Sequence, residues 1–268
     1  MNITEKVYKK LTLKVTLNGF SYCVFDTLEQ KIMMVKEIDF NLFPKATKVE
    51  EHYARAFREP WELRDSFDEI LVLHDHNLNT FVPKSLFDEQ FMGSYLQYNT
   101  KVFESDFFDF DEIANYDMNN VYIPYMNINN YLLDQLGTFN YKQANSILVS
   151  KLLDGSKNID EKQVFVHFSD SKFELIVIQN QKLLLFNSFD YSTKEDFIYY
   201  LLFTAEQLNL NPEHFRLHLL GTISEDSELF KIAYQYIRNV SLLDVCKLQK
   251  SNPFSTEQNL KHFILFQS

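Results

Sequence analysis

Glycine is scarce in this chain. There are five in 268 residues, Gly19, Gly93, Gly137, Gly155 and Gly221, and no two are close together. Loops that cradle phosphates bring several backbone amides onto the ligand, and glycine permits that approach. The G-x-x-x-x-G-K-[ST] and G-x-G-x-x-G patterns are both missing. Cysteine is scarcer still. Cys23 and Cys246 stand far apart in a chain whose start, MNITEKVYKK, lacks the apolar run of a signal peptide. That excludes a disulfide framework and predicts two buried thiols. Apolar runs are short, the longest being Phe197–Phe203, far below the roughly 20 residues of a membrane-spanning helix. A cytoplasmic protein is expected. Basic residues are outnumbered, 26 against 37, leaving a net charge of −11. Affinity for nucleic acid comes largely from Lys and Arg neutralising phosphates, so this balance argues against nucleic acid, and against an anionic membrane surface.

Aromatic side chains are abundant: 26 Phe and 15 Tyr within a chain that is 46% hydrophobic. That suffices for one large core or two smaller ones. The segment 11–17 alternates and meets Asn18-Gly19, a strong two-residue hairpin signal. Residues 20–26 return, and 32–40 make a third strand. A helix is expected over 48–58, where Val49, Tyr53, Phe57 and Trp61 step by four, with Pro60 as its break after the turn at Pro44-Lys45. A short strand follows at 69–73. A second helix is expected over 83–98, with Pro83 and Ser85 as start signals.

The second half repeats this order. Strands are expected at 164–168, 173–179 and 182–191. A helix capped by Ser192 and Glu195 runs to about Leu208, then come a strand at 215–220 and a helix at 224–237. The residues echo as well. "QKIMMVKEIDF" (30–40) lies without gaps on "QKLLLFNSFDY" (181–191), matching Gln30 with Gln181, Lys31 with Lys182 and Asp39 with Asp190. Phe20 and Phe173 open the preceding strands. An internal duplication is the simplest account. Between the halves, 102–113 reads as an irregular acidic segment, and 119–137 as strand then helix. A helix over 143–153 leads to the polar stretch 154–161. The expected division is 1–153 and 154–268.

A strand meander followed by helix, strand and helix, present twice, resembles the actin-like ATPase fold. Its α/β lobes are duplicated RNase H-like units with mixed five-stranded sheets. "FVPKSLFDEQFMGSYLQYN" (81–99), "LLLFNSFDYSTKEDFIYYLLFTAEQLNLNPE" (183–213) and "LHLLGTI" (217–223) are similar to the DUF3822 family of Bacteroidetes, over nearly the whole chain. The resemblance implies that fold with unknown function. Active actin-like ATPases place an Asp-x-Gly turn in the first hairpin of each lobe, to hold phosphate and metal. Here the first turn, Leu17–Phe20, has glycine without Asp, and the second, Ser169–Lys172, has Asp without glycine. The Gly-Gly turn of the adenosine motif falls near Leu220-Gly221-Thr222, with a single glycine. The nucleotide motifs are degenerate.

Other chemistry was weighed against packing. His74-Asp75-His76 ends a strand, where two imidazoles on one side can meet a metal, yet no third ligand is evident and a polar loop is expected. Glu104, Asp106, Asp109, Asp111 and Glu112 interleave with Phe103, Phe107, Phe108 and Phe110. That pattern suits Mg²⁺, a basic partner, or a solvated loop anchored by phenylalanines; the last is preferred. Cys23 reads as buried, and His167, His214 and His218 as structural or exposed. No catalytic, cofactor-binding or metal residue is assigned. One feature stands out. The helix after Ser192 buries Phe197, Leu201, Ala205 and Leu208, widened by Ile198 and Leu202, but also carries Tyr199, Tyr200 and Phe203. A second apolar face wants a second cover. These three are the interface candidates, expected to meet the first lobe or a partner subunit. The functional expectation is a non-catalytic scaffold or adaptor that binds protein or self-associates. The rival is a divergent nucleotide-binding ATPase using a cleft between the lobes.

Overall fold

The computed structural model describes residues 6–42, 48–58, 61–245 and 252–268. Residues 1–5, Pro44, Lys45, Pro60 and Cys246 fall outside them, as does the side chain of Trp61. The chain divides into two units, 1–147 with 250–253 and 268, and 148–249 with 254–267.

In the first lobe, β1 (Lys9–Val15) turns at Asn18 into β2 (Gly19–Asp26), which pairs with β3 (Lys31–Asp39). Helix α1 (Val49–Ala56) follows, then β4 (Glu69–His74), parallel to β1. The chain next departs into a small sheet of its own. This comprises β5 (Asn79–Pro83), the five-residue helix α2 (Met92–Leu96), β6 (Asp109–Ile113) and β7 (Met118–Tyr122), with strand order β5-β7-β6. It returns through α3 (Met126–Leu136) to β8 (Asn140–Gln143), which completes a mixed sheet of order β3-β2-β1-β4-β8. Helix α4 (Ala144–Gly155) leads out.

The second lobe runs β9 (Gln163–Phe168), β10 (Lys172–Gln179), β11 (Lys182–Asp190), α5 (Lys194–Gln207), β12 (Arg216–Gly221), α6 (Glu228–Tyr236) and β13 (Asn239–Leu242). The sheet order β11-β10-β9-β12-β13 copies the first. Two short helices, α7 (Thr256–Lys261) and α8 (Phe263–Gln267), close the chain.

The copying extends to single positions. Phe20 faces Ile38 and Phe173 faces Phe189; the register slips at Val24/Phe25 and again at Val177/Ile178. Gln30 and Gln181 both take positive φ, 53° and 61°, in the tight turns before β3 and β11. The turn bonds Thr16 N–H to Gly19 O and Ser169 N–H to Lys172 O correspond, as do Asp75 N–H to Val15 O and Thr222 N–H to Phe168 O. A bulge kept in both copies marks a feature that the fold retains.

Each lobe buries one sheet face under its helices. In the first, Leu11, Leu13, Val15, Phe20, Tyr22 and Val24 join Tyr53 and Phe57, and Ile128 and Leu132 of α3. In the second, Val164, Val166, Phe173, Leu175 and Val177 meet Phe197, Leu201 and Ala205 of α5. The inserted sheet has its own small core of Val82, Leu96 and Val121.

Four expectations are corrected. Residues 83–98 do not form one helix: Pro83 ends β5, 84–86 and 89–91 are separate 3₁₀ turns, and the Asp88 carboxylate caps the start of the second by accepting from Gln90 N–H. The helix that answers α6 is therefore α3. The acidic segment is not irregular throughout, since β6 takes 109–113. The box that starts α5 is Thr193 with Asp196, one residue later than expected; each side chain meets the other's backbone N–H. Finally, β8 and β13 are additional strands, each of four residues.

Candidate functional site

The two hairpin turns and the end of β12 are the places where the actin-like fold would hold a nucleotide. In the first turn, Thr16 N–H donates to Gly19 O at 3.0 Å and Asn18 N–H to Thr16 Oγ1 at 3.1 Å. The Tyr53 hydroxyl donates to Thr16 O at 2.8 Å and lies 3.2 Å from Gly19 O. Full burial holds that phenol well above its ordinary pKa, so it stays a donor. Gly19 is needed because a Cβ there would stand 2.4 Å from Ile38 O of β3. The space freed by glycine is taken by the neighbouring strand.

The second turn is closed in kind. Ser169 N–H reaches Lys172 O at 2.9 Å, and the Tyr191 hydroxyl donates to Ser169 O at 3.2 Å. Lys172 Nζ is 2.5 Å from Glu174 Oε1, and His167 Nδ1 is 2.8 Å from Glu174 Oε2. Glu174 is completely buried between them. Gly221 at the end of β12 has φ +89°, and a Cβ there would stand 2.1 Å from Phe168 O. Its glycine, too, answers a close backbone approach.

The histidine pair does not converge. His74 Nδ1 accepts from Tyr125 N–H at 3.2 Å, so Nε2 carries the proton and donates to Asn129 Oδ1 at 3.0 Å. His76 Nδ1 accepts from Leu78 N–H at 3.1 Å. Burial lowers the His74 pKa to about 4, which keeps the ring neutral. Among the described residues no group of three or more His, Cys, Asp or Glu side chains could hold a metal ion. Cys23 is buried, His218 stacks on Phe165 with its Nδ1 3.1 Å from Ser241 Oγ, and His214 is exposed.

A buried polar network joins residues far apart in the sequence. Asp111 accepts from Gln143 N–H at 2.8 Å, Ser146 Oγ at 2.5 Å and Tyr122 OH at 3.4 Å, at the start of α4. Asn120 Nδ2 donates to Ser146 Oγ, Asn79 Nδ2 to Asn120 Oδ1, and Asn145 Nδ2 to Asn79 Oδ1. The network fastens the inserted sheet to the lobe. Burial outweighs these donors and raises the Asp111 pKa to about 6. The signal in the sequence was Asn119-Asn120 within a strand: asparagine is disfavoured there, and buried amides need partners.

The three interface candidates separate. Tyr200 stacks on Phe189 at 4.6 Å and packs on its own core. Tyr199 and Phe203 are 62% and 51% exposed, stacked on each other at 6.1 Å. The phenylalanines of the acidic segment separate likewise: Phe108 and Phe110 pack inward, the latter 4.6 Å from Phe87, while Phe103 and Phe107 face solvent. Among the described residues no helix is long and apolar enough to cross a membrane.

Duplicated mixed sheets of this order define an actin-like ATPase fold. A Bacteroides thetaiotaomicron protein with that fold and unknown function superposes with a TM-score of 0.79 at 20% identity, covering 91% of this chain and 94% of its own. PilM, in the PilM–PilN type IV pilus biogenesis complex, gives 0.61 at 12% identity, covering 98% and 96%. The chain belongs to the DUF3822 family, described as a protein of unknown function, whose model matches residues 1–240. A search of curated proteins finds no match.

Proposed function

We propose that this protein is a non-catalytic scaffold that uses the actin-like fold to bind protein. One observation carries the reading: Gly19 and Gly221, where glycine would admit a nucleotide, are each filled by a neighbouring strand's carbonyl, Ile38 O and Phe168 O. A phosphate cradle needs backbone amides turned outward, whereas Thr16, Asn18 and Ser169 donate theirs within their own turns. Lys172 faces a buried carboxylate instead of an incoming phosphate. PilM, similar over nearly its whole length, stands in a complex with PilN, which supports a protein-binding use of this architecture.

The exposed flank of α5 is the proposed interface, through Tyr199 and Phe203. Glu195 lies one turn before Tyr199 and Glu206 one turn after Phe203, both exposed. Two copies related by a two-fold axis would set carboxylate against carboxylate in either helix direction. A different protein, with an apolar contact flanked by Lys or Arg, fits better.

The test is thermal unfolding with ATP and Mg²⁺. A ligand at a hundred times its Kd adds about 2.7 kcal/mol to stability. No shift is expected with ATP, ADP or GTP. A clear shift that disappears in Asn18→Ala or Asp170→Ala would overturn the scaffold reading in favour of a divergent ATPase.

A further inference from the structure

The inserted sheet exposes apolar side chains densely. Leu86, Phe91, Tyr98, Phe103 and Phe107 all face solvent, Tyr98 by 85% and Phe103 by 53%. Isolated exposed apolar residues are ordinary, but one of these, Phe103, lines a groove, and an apolar side chain held open at a groove marks a binding surface. Such a groove, of about 510 Å³, runs between α2 and the segment before β6. Met92, Gly93, Val102, Phe103 and Phe108 are among its lining residues. Gly93 lets the Phe108 ring pack close: a Cβ there would stand 3.1 Å from that ring.

The rim is acidic. Glu89 and Glu104 line the groove and are exposed. Over residues 84–112 there are seven Asp and Glu against two Lys. Both lysines are engaged, Lys84 with Glu112 at 2.5 Å, and Lys101 over the Phe103 ring at 4.9 Å. Among the described residues neither Glu89 nor Glu104 forms an ion pair, and the single lysine lining the groove, Lys101, leaves it with an excess of negative charge. A second copy of this surface would bring like charges together, and a polyanion would be repelled.

We propose that this groove receives a basic amphipathic segment of a partner protein. Its apolar side chains lie over Met92, Val102, Phe103 and Phe108, and its Lys or Arg side chains meet Glu89 and Glu104. The site rests on the scaffold reading and names the chemistry of one partner. Helix-in-groove binding of this kind divides the work: the apolar contact supplies affinity, and the charged rim supplies specificity.

The probe is a labelled Leu/Lys amphipathic peptide of about 18 residues, five helical turns, read by fluorescence anisotropy with the full chain. A Leu/Glu peptide of the same spacing is the control. The Lys peptide should bind about tenfold tighter or better than the Glu peptide, a gap worth about 1.4 kcal/mol. Glu89→Lys with Glu104→Lys should erase that preference, and Phe103→Ser should weaken binding of the Lys peptide about tenfold. Reversing the exposed Glu225 and Asp226 of the second lobe to Lys should change neither. All these positions except the peptide's own are exposed on the protein, and unchanged melting curves confirm that the variants fold. Equal affinity for both peptides, or binding unaffected by the groove variants, overturns the proposal. So does a concentration-dependent dimer of the wild type lost in Phe103→Ser with Phe107→Ser, which would give the groove to a second copy. Nucleotide binding would sink the scaffold reading and leave this result standing; lost peptide discrimination would do the reverse.

Discussion

The two lobes share a sheet order, a bulge and their turn bonds, yet they leave their fourth strands differently. Register places His74 opposite Val15 in the first lobe and Gly221 opposite Phe168 in the second, so these two residues are counterparts. After Gly221 the chain needs only residues 222–227 to reach α6; after His74 it spends 75–125 on a third sheet before α3. The second lobe closes tightly on glycine, while the first opens on a buried imidazole bonded to Asn129 and Tyr125. The shared parts are what a stable RNase H-like lobe requires. What one copy has added is where a function peculiar to the family has room to sit, because loops beyond strand ends can grow without disturbing the ladder.

The comparison can be broken most forcefully inside the two first hairpins. Glu174 pairs across the ladder with His167, and the matched pair in the first lobe is Ser21 with Lys14. Glu174 has no exposure and holds two cationic or protonatable partners, while Lys14 finds its carboxylate elsewhere, on Asp75 at 3.0 Å. Glu174→Ala leaves a lysine and a histidine without their shared acceptor and should cost roughly 3–5 kcal/mol. Ser21→Ala should cost about 1 kcal/mol. Chemical denaturation of both variants checks the difference. Equal losses would mean that the buried triad contributes no more than a hydroxyl.

A comparison within the first lobe sharpens the role of the insertion through pH. His74 drops from 6.5 to about 4 on burial. As pH falls through that window the unfolded chain takes up a proton that the folded one refuses, so stability declines. Asp111 rises from 3.8 to about 6 for the same reason. As pH rises through that window the unfolded chain releases a proton that the folded one keeps, so stability again declines. Each slope amounts to about 3 kcal/mol, and between pH 4 and 6 the two oppose. Asp111→Asn should expose the His74 slope, losing about 3 kcal/mol relative to wild type on acidification from pH 6 to 4. His74→Gln should do the opposite and gain by acidification relative to wild type. Parallel pH profiles for all three proteins would exclude this coupling.

The repeated framework was legible because its signals are local. Asn18-Gly19 specifies a hairpin, alternation specifies a half-buried strand, and the matched 30–40 and 181–191 stretches occupy the same register in β3 and β11. The insertion was not legible for the opposite reason. Pro83 and Ser85 look like a helix start, but tertiary pairing of β5 with β7 claims Pro83 as a strand end. Four residues in β8 and in β13 are too few to show a period. Asp111 is the sharpest case. Its sequence neighbours suggest a solvated carboxylate, whereas its partners, Gln143 and Ser146, lie over thirty residues away. The apolar excess of α5 does not show which of its aromatics are covered: Tyr199 and Phe203 are exposed, whereas Tyr200 belongs to the core because Phe189 stacks on it.

That division of α5 gives the smallest effect on stability and the cleanest contrast. Tyr199 and Phe203 are more than half exposed, so Tyr199→Glu with Phe203→Glu should change folding free energy by about 0.5 kcal/mol or less. Tyr200→Glu, one residue away, would push a carboxylate against Phe173 and Phe189 and should cost about 2 kcal/mol or more. The same double variant that leaves folding intact should abolish binding of a partner through this flank, measured by co-purification from cells with the wild type as reference and the partner identified by mass spectrometry. If the double variant unfolds the lobe as readily as Tyr200→Glu, the flank is part of the packing after all. If it folds normally and every wild-type partner is retained, the exposed pair is surface and the interface lies elsewhere.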